Sequence, residues 1–127
     1  MSPKSSATLF HASETRPDPI GAAEMLQLHH EFSKEGVCEL VQMFKDEGSP
    51  ALHRMGAAAE IRDGEALRRE AHALRGAAAN FGAKPLNDLC QQIENEARAG
   101  DFSHTTGLLQ QVHEEYFRVE RALETEC

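Results

Sequence analysis

His72 stands three residues before an arginine and four before a glycine, in the run Ala71-His72-Ala73-Leu74-Arg75-Gly76. On a helix those offsets put His72, Arg75 and Gly76 on one face, about a turn apart. An imidazole titrates ordinarily at about 6.5, so near neutral pH a ring nitrogen keeps a lone pair free for nucleophilic attack. A cation beside it suits an anionic group attached to that ring or approaching it. Glycine in mid-helix costs roughly 1 kcal/mol relative to alanine and so needs a reason. One reason is room for a large partner to reach the imidazole; close packing of two helices is the other.

The same segment is locally basic. Between residues 62 and 84 stand Arg62, Arg68, Arg69, Arg75 and Lys84 against Asp63, Glu65 and Glu70, a balance of +2 in a chain whose total is −8. Other histidines make poorer sites. His29 and His30 are adjacent and point to different faces of a helix, and His113-Glu114-Glu115 has no second histidine four residues later. There is no Walker A loop, no G-x-S-x-G elbow and no H-E-x-x-H zinc helix, so autonomous enzyme activity is not indicated.

Helices must hold these residues. The spacing of Leu67, Ala71, Leu74, Ala78 and Phe81 is 4, 3, 4, 3, the seam of a near-antiparallel bundle, and it leaves His72 at the edge of the stripe. Gly82-Ala83-Lys84-Pro85 reads as the following turn. Leu86, Leu89, Cys90, Ile93 and Ala97 line the next helix, which Gly100-Asp101 ends. Leu109, Val112, Tyr116, Val119 and Leu123 line a last one, from about Ser103. Upstream, Asp18-Pro19 reads as a helix start, with Ile20, Met25, Leu26 and Phe32 as the apolar residues of a helix ending near Phe32. A second begins near Ser33 with Val37, Leu40, Val41 and Phe44. Beyond Gly48-Ser49-Pro50 the stripe continues through Leu52, Met55, Ala59 and Ile61, and the proline fits either a kink or the first turn of a new helix. No stretch alternates with period two. The expected fold is all-α, an antiparallel four-helix bundle with an additional N-terminal helix. Residues 1–17 read as a disordered tail or linker and residues 18–125 as one domain.

Composition narrows the function classes. With 127 residues, a net charge of −8, one Tyr and no Trp, the chain lacks both the basic surface and the aromatic platforms of a nucleic-acid binder. No apolar run approaches the roughly 20 residues of a membrane helix. Three cysteines, Cys38, Cys90 and Cys127, have no metal-ligand spacing, and their odd number fits no closed disulfide framework. Reduced thiols in a cytoplasmic protein are the expectation.

Ala71-His72-Ala73-Leu74-Arg75-Gly76, followed by Asn80-Phe81-Gly82-Ala83, resembles the signature of histidine phosphotransfer (HPt) domains. Leu86-x-x-Leu89-Cys90-x-x-Ile93-Glu94 resembles the helix that follows it in that family, and the similarity runs from about Ile20 to Leu123. Ala77 departs from the Ser of many members, and Arg75 replaces the commoner Lys with its charge kept. The resemblance implies a phosphorelay intermediate with His72 as phosphoacceptor. Phosphate would come from the aspartyl phosphate of a response-regulator receiver domain, within a pathway fed by a hybrid sensor kinase, and pass to another receiver aspartate. Arg75 and Lys84 would supply cations and Gly76 an open approach. Glu94, or Gln91 one turn earlier, would bond the second ring nitrogen. Arg68, Arg69, Ala73, Ala79 and Lys84 are the geometric candidates for docking. No cofactor of its own is expected, with Mg²⁺ carried by the receiver; a monomer is expected. The alternatives are a helical adaptor that never accepts phosphate and, third, a bundle holding haem or metal through a histidine.

Overall fold

The computed structural model, which describes residues 16–127, forms five helices and no strand among them. These are α1 (Ala22–Glu31), α2 (Lys34–Glu60), α3 (Gly64–Ala79), α4 (Lys84–Ala99) and α5 (Thr105–Glu124). Ser33 caps α2 by accepting from the Gly36 N–H, and Asp63 caps α3 by accepting from Ala66. Pro85 sits in the first turn of α4, where its missing N–H costs nothing, and Gly100 closes that helix at φ +71°.

Helices α2 to α5 pack in a ring, α2 on α3, α3 on α4, α4 on α5 and α5 back on α2, and α1 rests on the outside. Cross-helix contacts fix the directions: Arg54 meets Glu70 and Glu94 meets His72, while Phe44 stacks on Tyr116. Neighbours therefore run antiparallel, as the expected bundle requires. The core holds Leu67, Ala71, Leu74, Ala78 and Phe81 from α3 and its turn, Leu86, Cys90, Ile93 and Ala97 from α4, and Leu109, Val112, Tyr116, Val119 and Leu123 from α5. For these three helices the sequence spacing named the buried face.

The N-terminal half departs from expectation. Asp18-Pro19 does not start a helix; α1 begins three residues later, with Gly21 in place of Asp18 as its cap. The Gly21 N–H is taken by the Phe81 carbonyl at 2.9 Å, which docks the irregular entry segment on the α3–α4 turn. Of the stripe assigned to α1, Leu26 and Phe32 are exposed, and Met25 and Leu28 are the buried pair. Ile61 is likewise exposed beyond the end of α2, where Ala58 takes the core position. Of the tail expected over residues 1–17, residues 1–15 lie outside the described part. Arg16 and Pro17 are tied to α5: Arg16 reaches the buried Glu115 carboxylate at 3.4 Å, and Arg118 bonds both that carboxylate and the Pro17 carbonyl.

Pro50 neither breaks α2 nor starts a new helix, and one 27-residue helix runs through it. Its ring removes the bond to the Asp46 carbonyl without ending the helix. Tyr116 from α5 packs against the turn just before the proline. Its hydroxyl lies 3.1 Å from the Phe44 carbonyl, 3.4 Å from that of Lys45 and 3.0 Å from the Glu120 carboxylate. Burial and the Glu120 charge push this phenol well above its ordinary pKa, so it stays a donor. Gly48 is buried beneath the ring, and a Cβ there would overlap the Tyr116 ring and hydroxyl. Gly48→Ala is therefore expected to cost about 2–3 kcal/mol in urea unfolding, despite its better helix propensity. A loss below about 0.5 kcal/mol would mean that the ring moves aside freely.

The three thiols are not all free. Cys38, near the start of α2, and Cys127, after α5, are joined in a disulfide with Cα atoms 5.2 Å apart. The odd count conceals one pair plus a buried Cys90, because partners 89 residues apart meet only when α2 and α5 pack antiparallel.

Candidate functional site

His72 lies one residue past the fully buried Ala71, so helix geometry swings its ring about 100° away from the core, onto the edge facing α4. Its side chain is 61 % exposed, whereas that of Glu94, which reaches it from α4, is 3 % exposed. Nδ1 of His72 is 2.9 Å from Glu94 Oε2. Arg75 Nε donates to the other carboxylate oxygen, and the Arg75 Nη2 lies 3.2 Å from His72 Nδ1. Burial alone would raise the Glu94 pKa, but hydrogen bonds from Arg75 and His72 outweigh it and hold the carboxyl below its ordinary value. An ionised carboxylate can only accept, so the shorter contact assigns the proton to Nδ1. The lone pair is then on Nε2, which makes no hydrogen bond among the described residues, on a side chain that is mostly exposed.

A second cation attends Glu94. Arg98, one turn further along α4, brings a guanidinium nitrogen within 3.8 Å of Oε2, the oxygen that bonds His72. Sequence reasoning missed it. The signal was present in the i, i+4 step from Glu94 to Arg98, which puts both on one side of α4. Two guanidiniums thus flank one carboxylate beside the imidazole, leaving this corner of the molecule positive.

Most of the local basic charge is otherwise engaged. Arg68 chelates Glu65 at 3.2 and 2.9 Å, and Arg69 lies 3.7 Å from the same carboxylate. Lys84 pairs with Asp88 at 3.3 Å, and Arg62 sits over the Phe102 ring at 5.7 Å. The structure brings Arg75 and Glu94 to His72, but not Lys84 or Gln91. Lys84 is bonded elsewhere, and Gln91 is exposed with no bond to the ring. Ala73 and Ala79 are exposed, so the surface next to His72 is low. Gly76 completes it: a Cβ there would meet no atom within 4 Å. Close helix packing is thereby excluded as the reason for this glycine.

Among the described residues, one other set of side chains has metal-ligand character, Glu96, Asp101 and His104. Bonds from His104 to Glu96 and from the Ser103 N–H and hydroxyl to Asp101 account for their positions at the α4–α5 turn. Cys90 is buried under Glu94, and burial first, then the Glu94 charge, pushes its thiol up to about 12, so it offers no nucleophile.

Residues 39–122 match the family model of the Hpt domain. The chain belongs to the Hpt domain family. Among solved structures it is similar to histidine-containing phosphotransfer protein B (HptB) from Pseudomonas aeruginosa PAO1, with a TM-score of 0.81 and 25 % sequence identity, over 87 % of this chain and 96 % of that one. No curated protein sequence matches it. A histidine phosphotransfer role in a phosphorelay follows for this Hpt domain. Hpt domains are phosphocarriers rather than kinases and work with receiver domains and kinases. No described helix is long and apolar enough to cross a membrane.

Proposed function

We propose that His72 accepts a phosphoryl group on Nε2 from the aspartyl phosphate of a receiver domain and returns it to another receiver aspartate. The observation that carries this reading is the exposed ring whose Nδ1 proton is held by a buried, ionised Glu94. The Nε2 lone pair forms the N–P bond as the aspartyl O–P bond breaks, and the aspartate leaves as a carboxylate. Positive charge then develops on the imidazole ring. The Nδ1–H bond to Glu94 stabilises that charge, and Arg75 and Arg98 keep the carboxylate in place. Reversal returns the group to a carboxylate with no other change in the domain. Mg²⁺ would be carried by the receiver, where the aspartate stands, and the kinase that charges the first receiver would be a hybrid sensor kinase. The reading places the domain in the cytoplasm as a monomer that docks one receiver at a time.

Incubation with a phosphorylated receiver tests the proposal. The expected result is label on the Hpt domain that survives alkali and is lost in mild acid, as a phosphoramidate requires. A domain that binds phosphorylated receivers and never takes label would instead be the adaptor.

Gly76 separates access from stability. Because the position is open, Gly76→Ala is expected to stabilise α3 by about 0.5–1 kcal/mol. Gly76→Gln keeps the helix propensity but places a long side chain one turn from the nucleophile, and transfer is expected to slow at least tenfold while melting does not fall. Wild-type transfer kinetics in the Gln variant would remove steric access as the reason for this glycine.

A further inference from the structure

Three elements meet at the end of the bundle where α5 finishes. Cys127 is bonded to Cys38 on α2, Glu126 bonds His29 at the end of α1 at 2.9 Å, and Glu124 reaches Lys45 on α2 at 3.6 Å. The covalent link joins residues 89 apart in sequence, whereas the two ion pairs are at least partly exposed and hold weakly by themselves. Helix α1 depends on this meeting point, since it packs only slightly on α2 and buries just Met25 and Leu28. Its other end lies on the α3–α4 turn, where Gly21 bonds Phe81 and Glu24 covers Gly82.

We propose that Cys38 and Cys127 are a reversible thiol–disulfide modification site, a staple that locks the end of α5 and the α1–α2 corner when oxidised and releases them when reduced by a small thiol of the glutathione class. Access supports reversibility: Cys127 is exposed and Cys38 only half-buried, so an attacking thiolate reaches the bond. In a reducing compartment such pairs respond to redox state rather than persist. A thiolate RS⁻ attacks Cys127 Sγ, the bond to Cys38 Sγ breaks, and Cys38 leaves as a thiolate that takes up a proton. A second RS⁻ attacks the outer sulfur of the mixed disulfide, releasing RSSR and the Cys127 thiolate. In sum, one protein disulfide and two RSH become two protein thiols and one RSSR. Cys90 stays outside this exchange, buried in the core and held protonated. The inference does not depend on the phosphotransfer reading.

The test equilibrates the full chain in glutathione buffers of graded oxidation, quenches with acid, unfolds, tags free thiols and weighs the intact protein. One tag is expected at the oxidised end and three at the reduced end, with Cys38 and Cys127 gaining theirs together. Closing a loop of this length is expected to raise the melting temperature of the oxidised form by roughly 10 °C. Cys127→Ser should melt at the reduced value in every buffer. Cys38 and Cys127 tagged independently, or each taking up glutathione without loss of the other's thiol, would overturn the proposal. Equal melting of the oxidised and reduced forms would overturn it as well.

Discussion

His72→Gln is expected to take no phosphoryl label from any receiver while melting within about 1 kcal/mol of the parent protein. The two halves of that expectation come from different parts of α3. Its stability resides in Leu67, Ala71, Leu74 and Ala78, which are buried against α4 and α2, and His72 adds little because its ring stands mostly in solvent. The Gln amide can still donate to Glu94, so the buried carboxylate is not left with an empty place. An amide nitrogen carries no free lone pair, however, and a loss of reactivity without a loss of fold is the mark of a nucleophile. A variant that unfolds would show instead that the imidazole holds α3 to α4, and a variant that still takes acid-labile label would place the acceptor on another histidine.

Glu94→Gln is expected to slow transfer about tenfold or more and to lower stability by about 1–3 kcal/mol. The carboxylate is almost fully buried and accepts from His72 and Arg75, with Arg98 close by, so removing its charge strands Arg75 and weakens the hold on the Nδ1 proton. The rate follows from the stability argument. Stabilisation of the charge that develops on the ring is lost in the transition state, and about 1.4 kcal/mol corresponds to a factor of ten. A pH test separates this from simple damage. The Glu94 pKa is depressed in the folded state, so its contribution is complete above the unfolded carboxylate pKa of about 4.3 and disappears as pH falls through the lower folded value. Urea unfolding of the parent protein should therefore lose stability on acidification across that window, and Glu94→Gln should lose less. Identical acid limbs in the two proteins, together with unchanged transfer rates, would take Glu94 out of the site.

These expectations rest on contacts of two ranges. His72, Arg75 and Gly76 share one helix, and their proximity follows from the rise and turn of that helix alone. Glu94 belongs to another helix. Its place beside His72 depends on how α3 and α4 slide past each other, and a shift of one turn would have presented Gln91. The +2 patch shows the same limit in charge. Residue counts named its members, but Glu65 and Asp88 neutralise Arg68 and Lys84 within the same helices, and Arg98 from α4 makes good part of the loss at His72.

Read alone, the sequence determined the all-α class, the buried faces of α3, α4 and α5, and the trio around His72, because apolar periodicity and i, i+3, i+4 neighbourhood are local properties of a helix. Tertiary structure decided where α1 begins, since the Phe81 carbonyl claims the Gly21 N–H. It also carried α2 intact through Pro50, and set Tyr116 of α5 over Gly48, which makes room for the ring. The choice of Glu94 over Gln91 and the pairing of Cys38 with Cys127 were settled at the same level. All of these are contacts between residues distant in the chain, set by the register of one packed helix on another, and no spacing within a single helix encodes that register.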